Sequence, residues 1–155
     1  MTIYEVLNNL DIKYTEIEHE PVYTCEQANK CYRGIEGQGC KSLFLIDKKK
    51  NYYMAIIPDT KRANLKELSK LVNGHLSFAS DERLKEVLDL IPGSVTPLGV
   101  MNDNQHQVKL LLDKELVGIQ LLFHPLVNTK TVSISYDDLV RFIEHFGNDY
   151  QIVEM

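Results

Sequence analysis

The segment that decides the fold reads Lys41-Ser-Leu-Phe-Leu-Ile-Asp47, Lys48-Lys-Lys-Asn51 and Tyr52-Tyr-Met-Ala-Ile-Ile57, in one continuous run. Its first and last parts are rich in apolar, β-branched and aromatic residues, which is the composition of strands inside a sheet. The polar residues between them have the length and character of a hairpin turn. The sequence therefore predicts a central antiparallel hairpin over residues 41–57.

Outside this hairpin, helical and extended patterns alternate without a regular strand-helix-strand rhythm. Apolar spacing and capping residues predict helices at residues 3–10, 24–32, from Asn64, from Ser80 and from Ser135. Short apolar runs predict further strands at residues 14–18, 76–79, 108–112, 117–123 and 131–135. This mixture predicts an α+β fold with a mixed sheet, in one compact domain over residues 1–155, and argues against a doubly wound sheet.

Composition narrows the class of protein. A chain of 155 residues with 44% hydrophobic and 25% charged residues has globular proportions. The net charge of -5 argues against non-specific nucleic-acid binding through a broad cationic face, but it allows a small basic patch that grips one end of an RNA. The sequence shows neither a signal peptide nor a long apolar run, so we expect a cytoplasmic protein without a membrane partner.

The cysteines give little support to a metal or redox site. Cys25, Cys31 and Cys40 lie close together with His19 nearby, but no two cysteines have the spacing C-x-x-C. An odd number of cysteines favours reduced thiols in a cytosolic protein. Motifs for nucleotide binding, a serine nucleophile elbow and a zinc protease helix are also missing. We therefore expect no metal and no cofactor.

Three segments have residue types that suit a reactive site. Gly93-Ser-Val-Thr-Pro97 could aim backbone N–H groups at a carbonyl oxygen, although an ordinary turn explains it as well. His124 occupies a polar corner between two apolar runs and could shape a pocket. Lys41 enters an apolar strand after a glycine-rich segment, where it could equally extend to solvent. No one of these segments decides the function.

Taken in order, the motifs of this chain resemble those of the bacterial prolyl-tRNA editing domains, which include free-standing trans-editing deacylases. The resemblance spans nearly the whole chain. The matching segments are Glu18-His-Glu-Pro-Val-Tyr-Thr24, Gly39-Cys-Lys-Ser-Leu-Phe-Leu45, Leu76-Ser-Phe-Ala-Ser-Asp-Glu-Arg-Leu84, Pro92-Gly-Ser-Val-Thr-Pro-Leu-Gly99, Asn102-Asp103 and Phe123-His-Pro-Leu-Val-Asn-Thr129.

The resemblance implies a central mixed, largely antiparallel sheet flanked by helices, and a pocket that hydrolyses a mischarged aminoacyl-tRNA. It implies that the ribose hydroxyl beside the ester helps to activate a water molecule, without a metal or a cofactor. The implied catalytic residues are Lys41, Gly93, Ser94, Val95 and Thr96. The implied substrate-binding residues are Pro97, His124, Pro125, Asn128 and Tyr23.

The implied substrate is alanyl-tRNA(Pro). Charge and position make Lys30, Arg33 and Arg83 candidates to grip its acceptor end, and Arg83 also lies in a segment that matches the family. Cysteinyl-tRNA(Pro) is an alternative, because related enzymes share much of the framework. An alternative of another class is a non-catalytic module that binds tRNA or a synthetase, and prolyl-tRNA synthetase is a candidate partner. Ser42 stands where many members carry Asn, which puts fine substrate preference in question more than activity.

Overall fold

The computed structural model describes residues 1–21 and 34–155, and within them eight strands form one sheet. The order is β1-β7-β6-β2-β3-β5-β8, with the short β4 pairing to β2. The strands are β1 (Thr15–Glu18), β2 (Gln38–Ile46), β3 (Tyr52–Pro58), β4 (Ser77–Phe78), β5 (Val108–Asp113), β6 (Gln120–Phe123), β7 (Lys130–Ser135) and β8 (Tyr150–Val153). The α-helices in the described ranges are α1 (Ile3–Asn9), α2 (Leu65–Val72), α3 (Asp81–Leu88) and α4 (Tyr136–Phe146).

The predicted hairpin forms the centre of the sheet. β2 and β3 pair antiparallel from Cys40 opposite Pro58 to Ile46 opposite Tyr52. The side chain of Asp47 closes the turn by accepting hydrogen bonds from the backbone N–H groups of Lys49 and Asn51. Of the strand pairings, four are antiparallel and three are parallel. The predicted α+β fold with a mixed sheet flanked by helices is therefore confirmed.

The sheet separates two apolar cores. Because side chains alternate along a strand, Phe44 and Ile46 of β2 pack in the larger core, which also takes residues of α1, α3 and α4. Leu43 and Leu45 face the other way and pack with Leu68 of α2 in the smaller core. By the same alternation, Lys41 projects from the face of the sheet that α2 covers.

Capping side chains begin three helices at the residues that the sequence indicates. Asn64 accepts a hydrogen bond from the backbone N–H of Glu67 and so caps α2. Ser80 caps α3 and Ser135 caps α4 in the same way, each through the N–H three residues on. These contacts satisfy backbone donors that have no partner within a helix. The predicted starts of α2, α3 and α4 are therefore confirmed.

The structure differs from the predicted elements at three places. Residues 117–119 are not part of β6, because Gly118 has a φ of +80° in a turn and the strand begins at Gln120. The predicted loop before β5 ends in a 3-10 helix, Pro97–Asn102. β8 was not predicted. The helix predicted at residues 24–32 lies outside the described residues, and none of the described helices is long and apolar enough to cross a membrane.

Candidate active site

Lys41 is held at the start of β2 by a backbone carbonyl. Its Nζ donates a hydrogen bond of 2.7 Å to the backbone oxygen of Lys61, just beyond β3. Asp59 lies close enough for the two charges to interact: burial raises the pKa of the Asp59 carboxyl, while the Lys41 charge opposes that rise. The Gln38 amide also donates to Asp59 at 3.2 Å. Lys41 is thus a half-buried, positioned cation with N–H donors left over, since an ammonium group has three.

The segment that holds Lys41 is itself anchored by an ion cluster. Lys61 Nζ lies 3.0 Å from Asp113 Oδ2 and 2.8 Å from Glu115 Oε2. It also donates to the backbone oxygen of Met155 at 3.0 Å. Hydrogen bonds to the two carboxylates raise the pKa of Lys61 above its usual value. The cluster ties the residues after β3 to the end of β5 and to the chain terminus, which fixes the carbonyl that binds Lys41.

The pairing of β2 with β6 brings the segments that carry Lys41 and His124 to one region of the sheet. β2 and β6 pair parallel, with Gln38 opposite Leu121 and Gly39 opposite Leu122. Lys41 follows the paired residues of β2 by two positions, and His124 follows the end of β6 at Phe123. Both residues therefore lie just beyond the paired part of these two strands.

His124 is held in one tautomer. Its Nδ1 lies 3.0 Å from the backbone oxygen of Lys130, and a carbonyl only accepts hydrogen bonds, so Nδ1 carries the proton. Burial lowers the pKa of His124, and the charge on His19 lowers it further, although the bond to Lys130 opposes this. Neutral His124 therefore keeps a lone pair on Nε2 as an acceptor.

His19, the residue after β1, supports this arrangement. Its Nδ1 lies 2.8 Å from the backbone oxygen of Glu20, and its Nε2 lies 2.8 Å from Thr131 Oγ1. Its ring meets the ring of His124 edge-on, with centroids 6.0 Å apart. Both imidazoles are thus fixed by neighbouring backbone and side-chain groups at one corner of the sheet.

The rest of this corner combines buried residues with a restricted backbone, and Val127 is exposed. Pro125 and Asn128 are buried, and Asn128 is only 8% exposed. Leu126 has a φ of +68°, a left-handed conformation that is unusual for a residue with a branched side chain. Such conformations persist only where the surroundings enforce them, so the corner has a defined shape.

The glycine loop is anchored by its own backbone and by the larger core. Gly93 has a φ of +87°, and the N–H of Ser94 donates to the backbone oxygen of Ile91 at 3.0 Å. Thr96 caps the 3-10 helix that starts at Pro97, and Val95 packs against the larger core. The Ser94 hydroxyl is fully buried and has no hydrogen-bond partner among the described residues. No described hydrogen bond or ion pair joins this loop to Lys41 or His124.

Arg83 lies at the opposite end of the hairpin from Lys41. Its Nη1 donates a hydrogen bond to the Tyr52 hydroxyl at 2.7 Å, and the ring of Tyr52 stacks on the ring of Phe44. Tyr52 pairs with Ile46, which lies about 17 Å along β2 from Lys41 at the usual strand rise. The structure therefore does not bring Arg83 beside Lys41. Three further predicted site residues lie outside the described part of the chain: Tyr23, Lys30 and Arg33.

Comparison with known proteins assigns this arrangement to a family. The sequence model of the aminoacyl-tRNA editing domain matches residues 19–142, which include Lys41, the glycine loop and His124. The chain belongs to the aminoacyl-tRNA editing domain family. It is accordingly an aminoacyl-tRNA deacylase.

Relatives of this editing domain match along most of their length. The Prolyl-tRNA editing protein ProX of Acetoanaerobium sticklandii is 39% identical over 152 residues, covering 96% of this chain and 93% of the relative. The Prolyl-tRNA synthetase associated domain-containing protein 1 of Danio rerio is 34% identical, with coverages of 90% and 78%. A crystal structure of a candidate trans-editing enzyme for prolyl-tRNA synthetase has a TM-score of 0.76 at 20% identity, covering 98% of this chain and 92% of that one. This last likeness supports the fold.

The sequence does not reveal several residues that contact the candidate site residues Lys41 and His124 or support those contacts. Lys61, Asp113 and Glu115 form the cluster behind Lys41, but their distance along the chain hides the contact. His19 was considered only as a metal ligand, whereas it packs on His124. The sequence signal for His19 was its position in the segment Glu18–Thr24, which matches a family motif. Among residues 1–21 and 34–155, no cluster of three or more His, Cys, Asp or Glu side chains could hold a metal ion.

Proposed function

We propose that this deacylase hydrolyses mischarged tRNA(Pro), with alanyl-tRNA(Pro) as its main substrate, acting in trans in the cytoplasm. The observation that carries the proposal is the positioned Lys41 cation, which follows the paired part of β2 just as His124 follows the paired part of β6. The similarity to a prolyl-tRNA editing protein over 96% of the chain supports tRNA(Pro) as the carrier. The choice of alanine follows from the family resemblance.

Hydrolysis of an aminoacyl ester does not need a strong nucleophile. An aminoacyl ester is already activated, so the protein must orient it, stabilise charge at its carbonyl and place a water molecule. The water oxygen bonds to the ester carbon, and the ester bond to the ribose oxygen breaks. The ribose oxygen takes up a proton, which leaves free alanine and a tRNA with a restored terminal hydroxyl.

Lys41 acts in this proposal as a positioning charge and not as a covalent nucleophile. Its bond to the carbonyl of Lys61 fixes the ammonium group and leaves two N–H donors. These donors can hold a phosphate oxygen of the terminal adenosine or an oxygen of the ester. A fixed cation costs no reorganisation when negative charge develops, which is the basis of such electrostatic catalysis.

His124 sets the size and polarity of the pocket in this proposal. As a neutral imidazole with Nδ1 bound to Lys130, it presents an acceptor at Nε2 toward the amino group of the substrate or the water. Together with the buried Pro125 and Asn128, it would exclude proline, which is larger than alanine. Steric exclusion of a larger group is easier than rejection of a smaller one.

The glycine loop is proposed to receive the substrate carbonyl. The N–H of Ser94 is already bound to Ile91, so the neighbouring N–H groups of Val95 and Thr96 are the candidate donors. The buried, unpartnered Ser94 hydroxyl offers one more polar group within the loop. Tyr23, Lys30, Arg33 and Arg83 remain predicted contacts to the substrate or the acceptor end.

A deacylation panel tests the proposal. The purified chain is incubated with alanyl-, cysteinyl- and prolyl-tRNA(Pro), and loss of the amino acid is followed against a protein-free blank. We expect fast hydrolysis of alanyl-tRNA(Pro) and protection of prolyl-tRNA(Pro). Faster hydrolysis of cysteinyl-tRNA(Pro) than of alanyl-tRNA(Pro) would identify cysteinyl-tRNA(Pro) as the main substrate. Binding of tRNA without hydrolysis of any ester would favour the non-catalytic module, and adding prolyl-tRNA synthetase would show whether that partner is needed.

A further inference from the structure

A groove with a cationic rim lies beside α2. It encloses about 270 Å³ and is lined by Leu65, Lys66, Ser69, Lys70, His75 and Leu76. Leu76 is buried, whereas Lys66, Lys70 and His75 are exposed. No acidic residue lines the groove. An apolar floor with cations at its edge suits a nucleotide, which presents a flat sugar-base surface and a charged phosphate.

The cations of this rim are not neutralised within the described structure. Elsewhere, Lys61, Lys85, Lys114 and Arg141 form ion pairs with carboxylates within 3.0 Å. Among the residues described, neither Lys66 nor Lys70 has such a pair. The two lie four residues apart, so they project from the same side of α2. In a chain of net charge -5, these two cations at the edge of an apolar groove are complementary to a polyanion.

The groove lies on the face of the sheet from which Lys41 projects, and it extends toward the hairpin end of β2. Leu76 precedes β4, which pairs with Leu45 and Ile46, about 14 to 17 Å along β2 from Lys41.

The start of α2 lies nearer to Lys41. Lys41 Nζ contacts the backbone oxygen of Lys61, and α2 begins four residues after Lys61. The five residues from Lys61 to Lys66 span at most about 18 Å of chain. Exposed Arg62 lies between the two sites along the chain. A nucleic acid with its 3′ end at Lys41 could therefore reach the groove within a few nucleotides.

We propose that Lys66, Lys70 and His75 bind the phosphates of the tRNA acceptor stem while the 3′ end occupies the site at Lys41. This rests on the proposed function, because it takes mischarged tRNA as the substrate. Contacts to phosphate position an RNA without reading its sequence. The groove therefore contributes affinity for the acceptor stem, and the choice of amino acid is made elsewhere, in the His124 corner.

The test compares two doubly substituted chains that lose the same charge. K66Q/K70Q removes the groove cations. K13Q/K85Q removes two exposed lysines, one beyond α1 and one in α3, next to residues of the larger core on the other face of the sheet from α2. Binding of uncharged tRNA(Pro) and the KM for alanyl-tRNA(Pro) are measured over a range of salt concentrations. For K66Q/K70Q we expect Kd and KM to rise about tenfold at low salt, with kcat unchanged, and the salt slope of log Kd to fall by about 1 to 2. K13Q/K85Q should match the unsubstituted chain.

Equal effects of the two double substitutions, or no effect of K66Q/K70Q on Kd and on the salt slope, would overturn the proposal. So would a K66Q/K70Q chain that binds tRNA normally but loses binding to prolyl-tRNA synthetase, because the groove would then be a protein interface. Thermal unfolding of both variants checks that the fold is retained. Failure of the groove proposal can be distinguished from failure of the proposed function. Binding of uncharged tRNA does not require hydrolysis, whereas failure of the proposed function would appear as inactivity of the unsubstituted chain.

Discussion

The imidazole of His19 meets the imidazole of His124 edge-on, with the ring centroids 6.0 Å apart. His19 is tied to Thr131 on the strand beside it, and His124 is tied to the backbone of Lys130. The two hydrogen bonds hold both rings in place. Burial lowers the pKa of His124, and a charge on His19 lowers it further.

Acidification should inactivate the enzyme through this pair. Burial and the charge on His19 hold the pKa of His124 below its ordinary value of 6.5. Above pH 6.5, His124 is therefore mostly neutral. As the pH falls through the lowered pKa, protonation of His124 removes the free Nε2 acceptor and the stability that the neutral form contributes. His19→Gln removes one lowering influence, so the acidic limb of the pH-rate profile should move to higher pH. A limb that stays in place or moves to lower pH would rule out this coupling.

Removal of the His124 side chain should weaken the discrimination against proline. We expect His124→Ala to lower the ratio of kcat/KM for alanyl- over prolyl-tRNA(Pro) by about tenfold, since the wider pocket admits a larger side chain. The ratio is the useful measurement, because loss of folded protein lowers both rates equally. An unchanged ratio would remove His124 from size selection.

Two glycines form a matched pair for testing the loop. Gly93 has a φ of +87° and Gly118 has a φ of +80°, so replacement of either by Ala should cost about 1 kcal/mol of folding free energy. Gly118 lies in the turn before β6, where an added Cβ meets nothing within 4 Å. Denaturant unfolding should therefore show similar losses, whereas kcat should fall only for Gly93→Ala. Equal activities of the two variants would mean that the loop does not receive the substrate.

Local patterns predicted the elements that local chemistry determines. The hairpin over residues 41–57 follows from two apolar runs around a polar turn, and its register is completed by the Asp47 side chain. Likewise, Asn64 and Ser135 mark helix starts because capping acts within three residues. These features depend on neighbours in sequence, so the sequence is enough to find them.

Long-range pairing explains what was missed. β8 has a short, weakly patterned sequence and is a strand because it pairs parallel with β5. The contact of Lys41 with Lys61, and of Lys61 with Asp113, joins residues 20 and 52 positions apart. The turn at Gly118 interrupts a run that otherwise has strand composition. The family resemblance named Lys41 and His124 together, and the parallel pairing of β2 with β6 brings the segments that carry them to one region of the sheet.

In the proposed mechanism, Lys41 is the charge that positions the activated ester. The most direct measurement is the single-turnover rate of alanyl-tRNA(Pro) hydrolysis by the unsubstituted chain and by Lys41→Ala, with thermal unfolding of both. We predict hydrolysis far above the blank by the unsubstituted chain and a loss of about a hundredfold or more in the variant, at unchanged folding. Full activity of a folded Lys41→Ala chain would contradict the account.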